Sequence, residues 1–206
     1  MSEIGTVSWS EHLEKYFSDT AERCQCLAIV HRRAEQVFSR KRTAIDIPVI
    51  VISGLVGFMS VGSTSMFEGQ EKISSILLGI CSLIVSVINT IGTYQGYAKL
   101  AEGHRIGAIQ YARLYRFLSL ELRLERSERM SPTDLLKQTK ELYDRLQEVT
   151  PPFPVELISD FKKEFAKYNN ISKPPELNGL EEVIVRVDNP MKLPQSTPPT
   201  PKVEDS

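Results

Sequence analysis

"ILLGICSLIVSVINTIGTY", residues 76–94, decides the fold. It is too apolar for an ordinary surface helix and too rich in Ser, Asn, Thr and Gly for a plain lipid-facing one. Steps of four and three from Ser75 land on Ser75, Gly79, Ser82, Ser86, Asn89, Thr93 and Gly96, all small or polar. The residues between them are mostly Ile, Leu and Val. A helix over this stretch therefore carries one narrow stripe unlike the rest of its surface.

The stretch lies inside a longer run, Ile73–Ala98, which has no charged residue over 26 positions. A second run, Ile47–Phe67, has none over 21. At about 1.5 Å per residue the two reach about 39 and 31 Å, enough for a hydrocarbon core of about 30 Å. The expectation is an all-α membrane protein built on a two-helix transmembrane hairpin, with spans near 47–67 and 74–96. The segment Glu68-Gly69-Gln70-Glu71-Lys72 joins them and is too short for anything but antiparallel neighbours. The first span has its own small row, Ser53, Gly57, Ser60 and Thr64, and the two small surfaces are expected to meet, since small residues let membrane helices approach closely.

The first dozen residues carry Glu3 and Glu11 and no apolar run of the signal-peptide kind, so the first span should act as an uncleaved insertion signal. Before it, residues 1–46 read as an amphipathic helix. Ser8 and Glu11 fit a capping box, and Leu13, Phe17, Thr20, Cys24, Leu27, His31, Ala34 and Phe38 form a four–three seam of the coiled-coil kind. Tyr16, Val30 and Val37 are expected to remain exposed. After the hairpin the helix should continue unbroken, with Leu100, His104, Gly107, Tyr111, Leu114, Leu118 and Leu122 on one face. The surface thus changes from small and polar in lipid to large and apolar in water, where burial of apolar area holds helices together.

Residues 99–168 read as a cytosolic helical region. Ser131-Pro132-Thr133-Asp134 is a strong helix start, and Leu135, Leu136, Leu142, Tyr143, Leu146 and Val149 are expected on its buried face. Thr150-Pro151-Pro152 ends it, and a shorter helix from about Pro154 shows Leu157, Ile158, Phe161 and Phe165. The region 169–206 reads as a proline-rich disordered tail. Seven of the chain's twelve prolines lie in the last 36 residues, and Glu181–Asp188 is read as a strand or docking peptide inside it.

Eight Lys/Arg flank the spans on the outer side (Arg32, Arg33, Arg40, Lys41, Arg42, Lys99, Arg105, Arg113) against Lys72 in the turn. The positive-inside bias then puts both termini in the cytosol, with Tyr94 and Tyr97 at the interface. A formal net charge of −1 gives no support to nucleic-acid binding. Cys24, Cys26 and Cys81 lack zinc or redox spacing and read as reduced packing residues. No phosphate loop, zincin motif or nucleophile elbow is present, so no catalytic, cofactor or metal residues are assigned. Glu102 and His104 read as a juxtamembrane helix face rather than ligands. His31, about sixteen residues before the first span, should hydrogen-bond to a Tyr or Arg near Tyr111–Tyr115 rather than to His104.

The opening "SWSEHLEKYF", the hairpin start "IPVIVIS" and the segment "YARLYRFLSLELRLERSERMSPTDLLKQTKELYDRLQEVTPPFPVELISDFKKEF" together resemble the SLATT-like two-span membrane proteins, closest to uncharacterised members from large DNA viruses. The resemblance covers about residues 8–166. It implies an all-α membrane domain that homo-oligomerises, in a host or virion membrane. Related bacterial domains are proposed as pore-forming effectors joined to nucleotide-sensing modules, and no such module is visible here.

The expected function is a non-enzymatic membrane protein that self-associates or scaffolds through its small-residue stripes and a cytosolic stalk. The alternative is an oligomeric pore lined by the stripe. Membrane lipid, further copies of the chain and a protein partner for the proline-rich tail are the expected partners.

Overall fold

The computed structural model describes residues 7–66, 69–168, 170–180 and 182–183. Most of the stretch 181–188, and the rest of the tail after it, lie outside the described residues. The described chain is helical, with α1 at Glu11–Met66, α2 at Glu71–Gln95, α3 at Tyr97–Arg123, α4 at Pro132–Val149, α5 at Val155–Phe165 and a short α6 at Pro175–Asn178.

The first helix is continuous through Pro48, so the amphipathic region and the first apolar run are one rod rather than two elements. It starts later than the capping-box reading. Ser10, not Ser8, caps it: the Leu13 amide donates to Ser10 Oγ at 3.3 Å, and the Glu14 amide to the Ser10 carbonyl at 3.0 Å. Trp9 then lies against Phe17, with ring centroids 5.8 Å apart.

α2 and α3 return along α1. The expected unbroken helix is interrupted at Gly96, whose φ of 62° is left-handed and whose amide donates to the Thr93 carbonyl at 3.1 Å. Glycine takes this conformation without the steric cost of a Cβ. The register is fixed at several levels. A Cβ on Gly92 would meet Ile45 Cγ2 at 2.9 Å, the rings of Tyr97 and Phe38 are 6.1 Å apart, and His104 meets His31. Ile47 is therefore level with about Asn89–Ile91 of α2, not with its end. The residues from Ile91 to Ala98 lie beside the charged segment Arg40–Asp46.

Below that level the two seams pack as the spacing requires. Phe17, Thr20, Cys24, Leu27, His31, Ala34 and Phe38 of α1 are buried, as are His104, Tyr111, Leu114 and Leu118 of α3. Each large apolar side chain buried this way contributes about 1.5–3 kcal/mol before conformational entropy is subtracted. The core extends to Leu135 and Leu146 of α4, Phe161 of α5 and Leu177 of α6. Val30, expected to be exposed, is buried within it, whereas Tyr16 is exposed.

On α4 the Ser131 hydroxyl accepts from the Asp134 amide at 3.2 Å, and Pro132 opens the helix. Its core face differs from the expected one, because Leu142 and Val149 are exposed and Thr139 is buried. Helical steps of four and three from Leu135 to Leu146 pass through position 139, so geometry places a threonine on the buried face.

The C-terminal boundary also shifts. Residues 170–180 are ordered on α1: the Ser172 amide donates to Glu22 Oε2 at 2.6 Å, Arg23 Nε donates to Ser172 Oγ at 3.1 Å, and Leu177 is fully buried. Farther out, Arg33 grips Glu164 of α5 with two hydrogen bonds, at 2.6 and 2.9 Å. Glu14 holds Arg126 and Arg129 from the α3–α4 connection. Those two guanidiniums hold the Glu14 carboxyl down at about 2.

Candidate functional site

The apolar parts of the two long helices leave an unusual surface. Each rod is long and apolar enough to cross a membrane, and no residue of its most apolar 18-residue window is buried. Along the hairpin, α1 turns Ile45, Val49, Ile52 and Val56 toward α2, which answers with Ser74, Leu78, Cys81, Val85, Ile88 and Gly92. This contact row is mostly aliphatic, with Ser74, Cys81 and Gly92 among its α2 members. The two small rows do not meet, contrary to expectation. Ser53, Gly57 and Ser60 on α1 and Ser75, Gly79, Ser82, Ser86, Asn89 and Thr93 on α2 are all exposed, and only Gly96 is half-buried. A Cβ added to Gly54, Gly57 or Gly79 would touch nothing within 4 Å.

Both small rows are displaced by one residue, about 100°, from the contact row. A right-handed helix turns clockwise when viewed along its own direction, and α1 and α2 run oppositely. In a common view the one-residue step is clockwise on one helix and anticlockwise on the other. Both steps therefore lead to the same side of the hairpin. One side carries the two small rows together. The opposite side, one residue before each contact row, carries Val51, Leu55 and Phe58 of α1 and Ile73, Leu77, Ile80, Ile84, Val87 and Ile91 of α2, every one at least half exposed.

Hydroxyls on the small side are unequally satisfied. Thr90 and Thr93 donate to the Ser86 and Asn89 carbonyls at 2.8 and 2.9 Å, the usual back-bond within a helix. Among the described residues, the side chains of Ser53, Ser82, Ser86 and Asn89 make no hydrogen bond. Ser82 lies near the middle of the apolar band, while the register brings Asn89 to its edge.

A second cluster lies between α1 and α3, beyond the apolar band. His31 Nδ1 is 2.8 Å from His104 Nδ1, and both rings are buried. Phe38 stacks on His104 at 5.4 Å, Tyr111 on His31 at 5.4 Å, and Phe153 lies 4.4 Å from His31. This pairing corrects the expected hydrogen-bond partner of His31, while Tyr111 is its neighbour by stacking. Aligning the two helices at the ends of their charge-free runs predicts a different register; the actual stagger, about two helical turns, brings His104 to the level of His31. Gly107 makes the approach possible, since a Cβ there would lie 3.1 Å from His31 Nδ1 and 2.9 Å from Thr150 Cγ2.

Burial, and then the neighbouring His104, pushes the His31 pKa down to about 3; burial pushes that of His104 down to about 4. Burial also raises the Cys24 and Cys26 thiols to about 12 and 11, so both are inert packing groups. Glu102 turns away from His104 to pair with Arg105 at 2.8 Å. No group of three or more potential metal ligands occurs among the described residues. The histidine pair left no clear sequence signal beyond two polar residues on opposing apolar seams.

Comparison with known protein families, with curated proteins and with solved structures returned no match.

Proposed function

We propose that the chain is a non-enzymatic integral membrane protein with both termini in the cytosol. It self-associates in the bilayer through the small-residue side of its hairpin and holds a cytosolic helical bundle at the membrane surface. The observation that carries this reading is the segregation of the hairpin into one side of small and hydroxyl-bearing residues and one of large aliphatic residues. The aliphatic side suits lipid chains. The small side suits another helix, because close backbone approach and interhelical hydrogen bonds drive association where apolar burial gives no net gain. Unpartnered serine hydroxyls within hydrocarbon are costly, and a second copy relieves that cost. The SLATT-like resemblance agrees with oligomerisation in a host or virion membrane.

The same hydroxyls support a second reading, an oligomeric pore in which Ser82, Ser86 and Asn89 face water. One two-span chain cannot enclose a channel, so this reading also requires several copies. Oligomer size in detergent and conductance in planar bilayers separate the two. In the scaffold reading Gly79→Ile disrupts the oligomer, and the wild-type oligomer passes no current. Current that is abolished by Ser86→Leu with assembly intact would favour the pore. A monomeric wild type would defeat both.

A further inference from the structure

We infer that Arg40, Lys41, Arg42 and Lys99, with Tyr94 and Tyr97, form a collar that binds the phosphate-bearing headgroups of anionic lipids. The inference rests on the membrane-spanning reading and adds to it the lipid class and the place of contact.

Depth comes first. Arg40–Arg42 lie five to seven residues before Ile47, about 8–10 Å beyond the edge of the apolar band. The headgroup layer begins at that edge and is about 5–8 Å deep, within reach of long, flexible basic side chains. The stagger of the helices brings Tyr94 and Tyr97 to about that level from the other rod, with Lys99 about one turn farther from the apolar band. Tyr94 is 92% exposed, as an aromatic residue anchored in headgroups is.

Charge comes second. Residues 36–45 hold three basic residues and no acid, and residues 73–101 hold Lys99 and no acid. With Asp46 counted, the collar carries +3 in a chain whose formal net charge is −1. Elsewhere Arg33 pairs with Glu164, Arg105 with Glu102, and Arg126 and Arg129 with Glu14, while Arg32, Arg113 and Arg116 make no ion pair among the described residues but lie farther from the apolar band. In the collar only Arg42 has an acidic partner, Asp46 at 3.0 Å. Lys41 Nζ sits 5.8 and 5.9 Å from the Phe38 and Tyr97 ring centroids, an aromatic seat that leaves the ammonium without a counter-charge. Arg40 and Lys99 make no ion pair among the described residues, and all four basic residues are exposed.

Shape comes third. A shallow, open depression along one face of α1 is lined by Glu35, Ser39, Arg40 and Thr43 toward one end and by Ile47 and Pro48 toward the other, with the acid at the end farthest from the apolar band. It is polar at the cytosolic end and apolar at the membrane end, the polarity order of a phospholipid lying beside the helix. Each basic residue near an anionic surface adds attraction that falls off within a Debye length and is screened by salt.

The test uses the full chain in detergent, titrated with phosphatidylglycerol or phosphatidylcholine in mixed micelles, with the thermal midpoint as readout. Phosphatidylglycerol should raise the midpoint by several degrees over phosphatidylcholine, and about 0.5 M salt should remove most of that difference. Arg40→Gln/Lys41→Gln/Lys99→Gln should abolish the difference. Arg32→Gln/Arg113→Gln/Arg116→Gln, which removes equal charge farther from the membrane, should retain it. Equal responses to the two lipids, or an unchanged difference in the collar variant, would overturn the inference. A matching rise with inorganic phosphate or soluble glycerophosphoglycerol would also overturn it, by showing a free-phosphate site. Membrane insertion is scored separately: release of the chain from membranes by alkaline carbonate would sink the spanning reading itself.

Discussion

His31 Nδ1 and His104 Nδ1 face each other across 2.8 Å at the centre of the contact between α1 and α3. One proton lies between them, donated by one ring and accepted by the other. Two protonated rings would point N–H groups at each other in a buried site, so the folded chain holds both neutral. An unfolded chain takes up protons on these rings near the ordinary value of 6.5, whereas the folded chain does so only near 3 and 4. Between these limits the unfolded state binds more protons, so stability is fully present above pH 6.5 and declines as pH falls toward 4. The thermal midpoint should drop steeply between pH 6.5 and 4.5, and His31→Leu/His104→Leu should flatten that slope. Equal slopes would show that the pair is not the source.

Gly107 is where α3 and α1 come closest beside that pair. Gly107→Ala should destabilise the bundle by about 1–3 kcal/mol, the usual cost of overpacking a filled site. Gly54→Ala, at a position open on all sides, should leave stability unchanged or slightly raised, through helix propensity alone. Thermal unfolding of both variants checks the contrast.

Leu27 is buried on the α1 seam, and Gln25, two residues away, is exposed. Leu27→Asp should place an unpaired charge in the core, and Gln25→Asp should do little. Both should still insert into membranes, because neither touches the apolar runs. Matching unfolding profiles for the two variants would mean that the packing face is misassigned.

The segment at 170–178 is fastened by Glu22, Arg23 and buried Leu177. Leu177→Ala should release it, at a local cost of about 2–5 kcal/mol. Limited proteolysis should then cut near residue 170 in the variant and spare the wild type. Glu22→Gln weakens the same fastening, so Glu22 is not the inert surface position its place off the seam suggests.

Periodicity carried much of the fold. The α1 seam from Phe17 to Phe38 and the α3 face from His104 to Leu118 were legible because burial in water selects apolar side chains at helical spacing, and nothing else competed for those positions. The helix start at Ser131 was legible for local reasons of the same kind. Stagger between the rods was not, because a charge-free run marks where charge is absent and not where the membrane ends. That error moved the expected partner of His31 by two turns. The core threonine at 139 was missed because its helical position outranked its polarity. Spacing alone places the small residues in rows, but which side of each helix faces its neighbour depends on a single residue of phase. Small residues are equally compatible with a neighbour in the same chain and with one in another copy.

The central claim is that the small-residue side of the hairpin meets another copy while the aliphatic side meets lipid. In a background with Cys24, Cys26 and Cys81 replaced by alanine, single cysteines at Ser82 and at Ile84 probe the two sides at nearly the same depth. Oxidative cross-linking in membranes should give a disulfide-linked dimer from Ser82→Cys and none from Ile84→Cys. A dimer from Ile84→Cys with none from Ser82→Cys would contradict the account.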